Sequence, residues 1–527
     1  MYSIKNIWWE RVNLHLEFNK TIKDKKVFLV NKNNIILLDS SNDEVCINVT
    51  NTPEGTMLDK GNWRIYIVDK KDELDITDKT NIVTIEDSIL KLLDDKSRIF
   101  SYNINKSYLV KLTTDDDLHL IIKISFMIEN RKYKRRYILS GEPIKTKIKN
   151  ILILIAIFII NVYYRLIRLF SFNKDKKILF LSENADELVG NLKSLHDYVE
   201  NTNWKSDVYA NNFYSLENKG KFKKIKIYIK EVFYLARTNN IFTDNYSVIM
   251  TFIKFNKKVK IIQLWHAGIG FKSVGYARFG LVGSPHPYLS SHRKYTHAVV
   301  DQDSLVKIYM EVFGNKKSIF NSFGMPRLDG YLDKETIDEK TKYLYSVNKD
   351  FENKKVILFS PTYRGKGSGD AYYDYSLIDL DKIYEYCKKN NALFVIKMHP
   401  FIKESINIPD KYKNLILDYS EMDINDLIYL SDIMITDYSS CAYEYSLFDR
   451  PLIFYRFDKE LYEYLRPMHT VDAFTSKQYE VREFNELMDV LDKLKNIDIK
   501  KRFNSINNST RKDSCKKIIG LLGENNG

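Results

Sequence analysis

From residue 176 onward the chain alternates short apolar runs with longer segments of helical periodicity. The runs fall at 178–181, 248–251, 261–264, 298–300, 356–359, 393–396, 415–417, 433–435 and 452–455. A strand buried in a parallel sheet is covered on both faces, so it reads as a continuous apolar run and not as an alternation. Repeated βα units of this kind predict doubly wound domains that gather ligands at the carboxyl ends of their strands. A chain of 527 residues is too long for one core, and about three domains is the prior. Two of them would be α/β, with the break expected in the charged segment 333–355.

The first 140 residues have a different period. Val12, Leu14, Leu16 and Phe18 alternate with polar neighbours, as do Trp63, Ile65 and Ile67, and Leu118, Leu120, Ile122, Ile124 and Phe126. Period two with turn-rich separators at 31–34 and 52–55 predicts a small all-β, sandwich-like domain. It reads as a packing or docking module, with direct contact to a polymer or partner as the alternative. Between the two regions lies the apolar run 151–160, continued by Val162, Tyr163 and Tyr164 and flanked by Lys145, Lys147, Lys149, Arg165 and Arg168. Some fourteen residues of helix span about 21 Å, short of the roughly 30 Å of a hydrocarbon layer. An apolar centre with basic flanks therefore predicts a helix lying on an anionic leaflet, with a buried core helix as the main alternative and a span as the third. Residues 221–237 repeat Phe222, Ile225, Ile229, Val232 and Ala236 at helical spacing, with Lys223, Lys226, Lys230 and Arg237 off the stripe. Alone, that pattern is an ordinary solvated face; beside the first segment it adds to the membrane reading. The expected organisation is 1–140 β-domain, 141–175 basic and apolar linker helix, 176–335 first Rossmann-like domain, and 336–527 second Rossmann-like domain with C-terminal helices.

Composition excludes a disordered chain, since 44% of residues are hydrophobic and 13% aromatic, and the net charge of +13 favours anionic partners. Cys46, Cys387, Cys441 and Cys515 lie far apart without metal-ligand spacing, which fits a reducing cytosol. The N-terminus lacks a secretory pattern. Neither a Walker lysine motif nor GxGxxG occurs, and RNA-binding signatures are missing, so no cofactor and no nucleic acid are expected.

Chemistry concentrates in five motifs. Residues 432–440 read as a strand that stops at Thr436, Asp437, Tyr438, Ser439 and Ser440 before a helical pattern. Such a turn directs backbone N–H groups, a helix dipole and two hydroxyls at one spot, which suits a phosphate; the plainer reading is an N-cap. The others are Trp265-His266-Ala267-Gly268, Gly324-Met325-Pro326-Arg327-Leu328-Asp329, Ser360-Pro361-Thr362-Tyr363-Arg364 and Lys397-Met398-His399-Pro400. In this order they resemble the CDP-glycerol glycerophosphotransferase family, whose members build the poly(glycerol phosphate) and poly(ribitol phosphate) of bacterial wall teichoic acids and some capsules.

The resemblance covers roughly residues 177–465 and implies a GT-B architecture, two Rossmann-like halves around a cleft. It also implies roles. His266 would be the general base that takes the acceptor's proton. His399, as a neutral donor or as a cation, would donate to the departing CMP phosphate. Arg364 would offer a planar fork to phosphate oxygens, with Thr362 donating nearby. Thr436, Asp437, Ser439 and Ser440 would line the donor phosphates, and Glu444 would reach a ribose hydroxyl. Lys272 and Arg278 would guide the anionic acceptor, and Arg327 would face the cleft or pair with Asp329. Asp301 and Asp303 mimic a metal-binding Asp-x-Asp, but no metal is expected; nor do His286, His292 and His297 have ligand spacing.

The implied activity transfers glycerol phosphate or ribitol phosphate from a CDP-alditol to a lipid-linked teichoic acid or capsule chain, releasing CMP at the cytoplasmic face of the membrane. Residues 4–18 resemble the opening of longer family members, which favours a polymerase over a primase. The alternatives are a GT-B glycosyltransferase using a nucleotide-sugar and a non-enzymatic polyanion-binding protein; a homo-oligomer is left open.

Overall fold

The computed structural model describes residues 2–32, 34–103, 106–126, 144–183, 185–212, 221–266, 272–281, 284–365, 369–448, 450–469, 477–496 and 513–523. Ala267 and Gly268 of the sequence motifs lie outside them, as do the side chains of Lys145, Lys147 and Lys149. The chain divides into two compact units, residues 1–265 with 273–322 and 522–527, and residues 266–272 with 323–521. The division after Ser322 precedes the charged segment 333–355. Asp329 explains why, since its carboxylate accepts from the backbone N–H and hydroxyl of Ser514 and ties the turn after Phe323 to the second unit.

In the first unit, residues 3–126 form two largely antiparallel sheets. One runs Ser40–Ser41, Glu44–Asn48, Asn13–Phe18, Ser3–Glu10 and Thr84–Ile85. The other runs Ile35–Leu38, Lys25–Val30, Gly61–Asp69, Leu120–Phe126, Lys106–Thr114 and Arg98–Asn103. The alternating residues meet in one core: Leu14, Leu16 and Phe18 from the first sheet and Trp63, Ile65 and Ile122 from the second are all essentially inaccessible. Burial of one face per strand accounts for the period of two.

The same unit carries a parallel sheet ordered Lys205–Ala210, Lys177–Ser182, Asn240–Thr243, Lys260–Gln263, His297–Val300, Phe320–Ser322. One expected strand is wrong. Residues 248–251 belong to the helix Val248–Phe252, because the Ser247 hydroxyl accepts from the Met250 N–H and starts a helical turn. The strand is Asn240–Thr243 just before it. A four-residue apolar run cannot be assigned by periodicity alone.

The linker helix is longer than its apolar run. It spans Ile144–Leu169, 26 residues or about 39 Å, and Ile151–Leu169 is by length and composition able to cross a membrane. The expectation that it is too short is corrected; basic residues at the start of the helix extend it beyond the apolar core. One stripe is nevertheless docked. The Asn161 amide donates to the Phe252 carbonyl at 2.9 Å and accepts from the Lys254 N–H at 2.8 Å. Tyr164 is buried, and Arg168 donates to the Thr238 carbonyl at 3.0 Å. The remaining faces leave Ile151, Leu152, Ile155, Phe158 and Ile159 exposed. The neighbouring helix Lys221–Ala236 adds exposed Phe222, Ile225 and Ile229.

The second unit holds a parallel sheet ordered Ile416–Asp418, Ala392–Ile396, Lys355–Phe359, Ile433–Thr436, Leu452–Tyr455, Gln478–Val481. In chain order this is 3-2-1-4-5-6. The direction of winding reverses between Lys355–Phe359 and Ile433–Thr436, and such a switch point opens a crevice at the strands' carboxyl ends.

Candidate active site

Two motifs leave the sheet on either side of that switch point. The Thr436 hydroxyl donates to the Ser360 carbonyl at 2.7 Å, lacing the two loops together. Asp437, 1% exposed, accepts from the Thr362 N–H at 2.8 Å, from the Tyr438 N–H at 2.5 Å and from Arg364 Nη1 at 2.8 Å. Arg364 also donates from Nη1 to the Thr362 carbonyl, at 2.9 Å, and from Nε and Nη2 to the two oxygens of Asp458, at 2.7 and 3.0 Å. Four of its five N–H groups are thus occupied by protein oxygens, and the two carboxylates raise its pKa further against the cost of burial. The direct phosphate contact expected of Arg364 is therefore corrected, as are those of Thr436 and Asp437. A buried carboxylate saturated by three donors has no reason to approach a pyrophosphate. These residues fix the shape of the two loops. Gly365 belongs to the same scaffold: at φ +101° a Cβ would stand 2.2 Å from the Asp370 carbonyl oxygen.

Glu444 and Arg327 are corrected together. Glu444 is 2% exposed and accepts from Arg327 Nη2, so the partner of Arg327 at this edge is Glu444. Asp329 is held by Ser514 instead.

Other groups at this edge remain turned outward. Ser440 precedes the helix Cys441–Ser446 without capping it through its side chain, and it is exposed. Half-buried Ser439 accepts from the Cys441 thiol at 3.0 Å, which leaves its own O–H to donate elsewhere. Lys272 donates from Nζ to the Thr362 hydroxyl at 3.0 Å, which places it beside the loop that carries Arg364. Arg278 lies in the 3-10 turn Gly275–Arg278 of the other unit.

His399 follows the strand Ala392–Ile396. Its Nδ1 accepts from the Phe401 N–H at 3.1 Å, which places the ring proton on Nε2. Burial, then Lys272, Lys397 and Arg466, push its pKa down to about 4. His399 is thus held as a neutral Nε2–H donor at neutral pH. Arg466 spreads its guanidinium 5.0 Å from the Tyr363 ring, which in turn packs 4.7 Å from the His399 ring.

His266 follows the strand Lys260–Gln263 and is exposed. The residue before it holds an unusual conformation: Trp265 has φ +52°, a left-handed backbone that a bulky side chain rarely adopts. Gln263 Oε1 accepts the Trp265 N–H, and Asn191 Nδ2 donates to its carbonyl, each at 2.8 Å. Both amides are essentially inaccessible, and the indole packs on Phe313. Sequence reasoning missed this clamp, along with Asp458 and Arg466. It also missed Glu183, Glu231 and Asp244, a buried carboxyl cluster at the carboxyl ends of Lys177–Ser182 and Asn240–Thr243. A signal existed, since Glu183 and Asp244 directly follow strands, but the second strand was not read. Of the decoys, Asp301 is buried and Asp303 exposed, while His292 is a core residue 3.1 Å from the Tyr295 hydroxyl.

The α/β fold with two parallel sheets is shared with a known structure. The structure of the wall teichoic acid polymerase TagF superposes with a TM-score of 0.51 at 18% identity, covering 71% of this chain and 95% of that one. Residues 162–511 match the family described as CDP-Glycerol:Poly(glycerophosphate) glycerophosphotransferase, and the chain belongs to it. Similar proteins include the teichoic acid ribitol-phosphate polymerases TarL and TarK of Staphylococcus aureus (strain NCTC 8325 / PS 47). TarL is 33% identical over 340 residues, 64% of this chain and 60% of TarL. TarK is 33% identical over 337 residues, 64% of this chain and 65% of TarK. A teichoic acid glycerol-phosphate primase of Bacillus subtilis (strain 168) is 30% identical over 257 residues, 47% of this chain and 63% of the primase. The chain thus spans about three fifths to two thirds of the length of these relatives.

Proposed function

We propose that the chain transfers alditol phosphate, ribitol phosphate first and glycerol phosphate second, from a CDP-alditol to a lipid-linked teichoic acid or capsule chain, and that it does so repeatedly, as a polymerase. The observation that carries this reading is the outward-facing set at the switch point: the Nε2–H of His399, the hydroxyls of Ser439 and Ser440, and the cations Lys272 and Arg466. Cations that depress a neighbouring histidine create a positive potential, which a pyrophosphate would relieve. The similarity to two ribitol-phosphate polymerases favours ribitol and polymerisation.

In this mechanism an acceptor hydroxyl gives its proton to His266 and attacks the alditol-bearing phosphorus. The bond from that phosphorus to the bridging oxygen breaks and CMP leaves, its new charge met by His399, Ser439, Ser440 and the two cations. Thr362 holds Lys272, and Arg364, Asp437 and Thr436 keep the loops in place. Positioning and charge stabilisation carry the rate, as in phosphoryl transfers generally. The reading includes the GT-B class of fold. It also includes peripheral attachment to the cytoplasmic face through the exposed residues of the helices Ile144–Leu169 and Lys221–Ala236.

The test supplies a lipid-linked primer with CDP-ribitol, CDP-glycerol or a nucleotide-sugar, follows CMP release and sizes the product. A ladder of many units from a CDP-alditol supports the proposal. Turnover of a nucleotide-sugar alone would select a glycosyltransferase, and salt-sensitive polyanion binding without CMP release would select a binding protein. His266→Ala should reduce turnover by about 10²- to 10⁴-fold with little change in donor affinity. EDTA should leave turnover intact, because protein cations carry the neutralisation.

A further inference from the structure

The outer face of the five-stranded sheet carries chemistry that the transferase reading does not use. Three adjacent strands align Trp8, His15 and Cys46 as direct cross-strand neighbours. Period two places Leu14, Leu16, Val45 and Ile47 in the core, so this row points the other way. Trp8 stacks on the imidazole, centroids 5.0 Å apart and planes 11° off parallel. His15 Nδ1 lies 2.5 Å from Glu44 Oε1, and His15 Nε2 lies 3.9 Å from Cys46 Sγ and 3.6 Å from Glu10 Oε2. A thiol, an imidazole and a carboxylate in line are the arrangement that activates a cysteine.

Two further observations point to a ligand. His15 and Cys46 line a groove of about 780 Å³ bounded by strands of both sheets and the helix Val306–Phe313, in the range that small organic ligands occupy. In its wall Asn51, 7% exposed, donates from Nδ2 to the carbonyls of Met310 and Asn315, while its Oδ1 accepts nothing. Lys307 and Lys317 line the same groove. Asp39, Asp303 and Glu311 stand in the same lining, so the unsatisfied amide oxygen with both ammonium and carboxylate groups matches a zwitterionic molecule carrying N–H groups and carboxylates.

We propose that Cys46, with His15 and Glu44 behind it, is a modification site that exchanges with a low-molecular-weight disulfide bearing amide and carboxylate groups. The Cys46 thiolate attacks one sulfur of the disulfide and a new S–S bond forms. The original S–S bond breaks, and the second sulfur leaves with the bonding pair and takes a proton from His15 Nε2. Cys46 is oxidised and the departing half is reduced, so no other oxidant is needed.

The carboxylates of Glu44 and Glu10 favour the imidazolium form of His15. Hydrogen bonds with Cys46, Glu10 and Glu44 push the His15 pKa up to about 10 despite burial. Glu10 and Arg11 face it from the first strand and its turn, Glu44 from the neighbouring strand, and Lys307 and Glu311 from the helix. The other three cysteines contrast with Cys46: Cys387, Cys441 and Cys515 are buried, and burial pushes each thiol up to about 12.

The test labels the full-length protein with iodoacetamide from pH 6 to pH 10 and reads each cysteine by peptide mass spectrometry. A cationic imidazole 3.9 Å from the sulfur stabilises a thiolate, so Cys46 should react about tenfold faster than a free cysteine peptide at pH 6. The other three should stay unlabelled. His15→Gln should remove the advantage at pH 6 and leave the rate at pH 10 unchanged; should that variant not fold, Glu44→Gln should lower the pH 6 rate part of the way. Oxidised glutathione should form a mixed disulfide on Cys46 alone, reversed by dithiothreitol. A Cys46 rate at pH 6 no greater than that of the free peptide, or one unmoved by both substitutions in folded protein, would overturn the activated thiolate. Alkylation without any glutathione adduct would overturn the disulfide exchange.

Discussion

Arg327 and Glu444 offer a direct test of whether a motif residue builds the site or touches the substrate. Glu444 is 2% exposed, its Oε2 accepts nothing, and Arg327 supplies the charge that balances it. Arg327→Met keeps the aliphatic stem and removes the cation. The buried carboxylate can then either stay charged without a partner, at a cost of about 3 to 5 kcal/mol, or take a proton. A carboxyl in water titrates near 4.3, so holding a proton on it costs about 3.7 kcal/mol at pH 7 and about 1 kcal/mol at pH 5. The cheaper route sets the loss. The variant should therefore lose about 3 to 4 kcal/mol at pH 7 and about 1 kcal/mol at pH 5. With an m-value of about 2 kcal/mol/M in urea, the midpoint should fall by about 1.5 to 2 M at pH 7. Trp8, Trp9, Trp63, Trp204 and Trp265 all lie in the first unit, so tryptophan fluorescence follows that unit and far-UV circular dichroism adds the second. Glu444→Gln in the same background should restore most of the loss by removing the charge that needs a partner. Unchanged stability at both pH values with CMP release abolished would refute the structural role and put Arg327 on the substrate.

Three other outcomes follow from the geometry. His399→Gln keeps a neutral N–H donor and should retain more CMP release than His399→Ala; since burial and three cations hold the His399 pKa down to about 4 in the free enzyme, it should add no step to the wild-type kcat/KM profile between pH 5 and 8, and a step lost in His399→Gln would contradict this. Burial raises Glu183 and Asp244 to about 7, and Glu231 well above its usual value. The stability they allow is complete below about pH 4 and is lost as pH rises through 7, so the urea midpoint of the tryptophan signal should fall from pH 5 to pH 8 and fall less in Glu231→Gln; a flat or rising midpoint would refute the assignment. Ile153, Ile155 and Ile159 are exposed on the linker helix, so changing all three to serine should release the protein from anionic vesicles without unfolding it; unfolding would show that the helix is core.

Much of the architecture was legible because burial imposes a period. Alternation at Leu14, Leu16 and Phe18 and the continuous runs at 356–359 and 433–435 follow from one-faced and two-faced burial. The strands Lys205–Ala210, Phe320–Ser322 and Gln478–Val481 were not legible, because edge strands and short strands lack that constraint. Their burial patterns are mixed, and polar residues interrupt the apolar signal. The helix at 248–252 shows the opposite failure, an apolar run whose type was decided by one serine hydroxyl.

Within the site, the sequence located the loops but could not divide their labour. A motif marks a position; whether its side chain builds or binds depends on partners far away in the chain. Arg364 looks like a phosphate fork until Asp458, 94 residues later, closes two of its N–H groups. Glu444 looks like a ribose acceptor until Arg327, 117 residues earlier, claims it. The charged residues that found such partners became buried, and burial without a partner is too costly for the alternative to persist. Hydroxyls and a neutral imidazole face no comparable penalty at a half-open edge, and for that reason Ser439, Ser440 and His399 could stay outward. Saturating the charged members of a motif internally also removes them as competitors for the ligand. The positive potential that remains comes from Lys272 and Arg466, which hold onto a hydroxyl, a carbonyl and aromatic rings instead of carboxylates. Partners of that kind position a cation without neutralising it, and a site built this way favours an incoming polyphosphate over any carboxylate of its own.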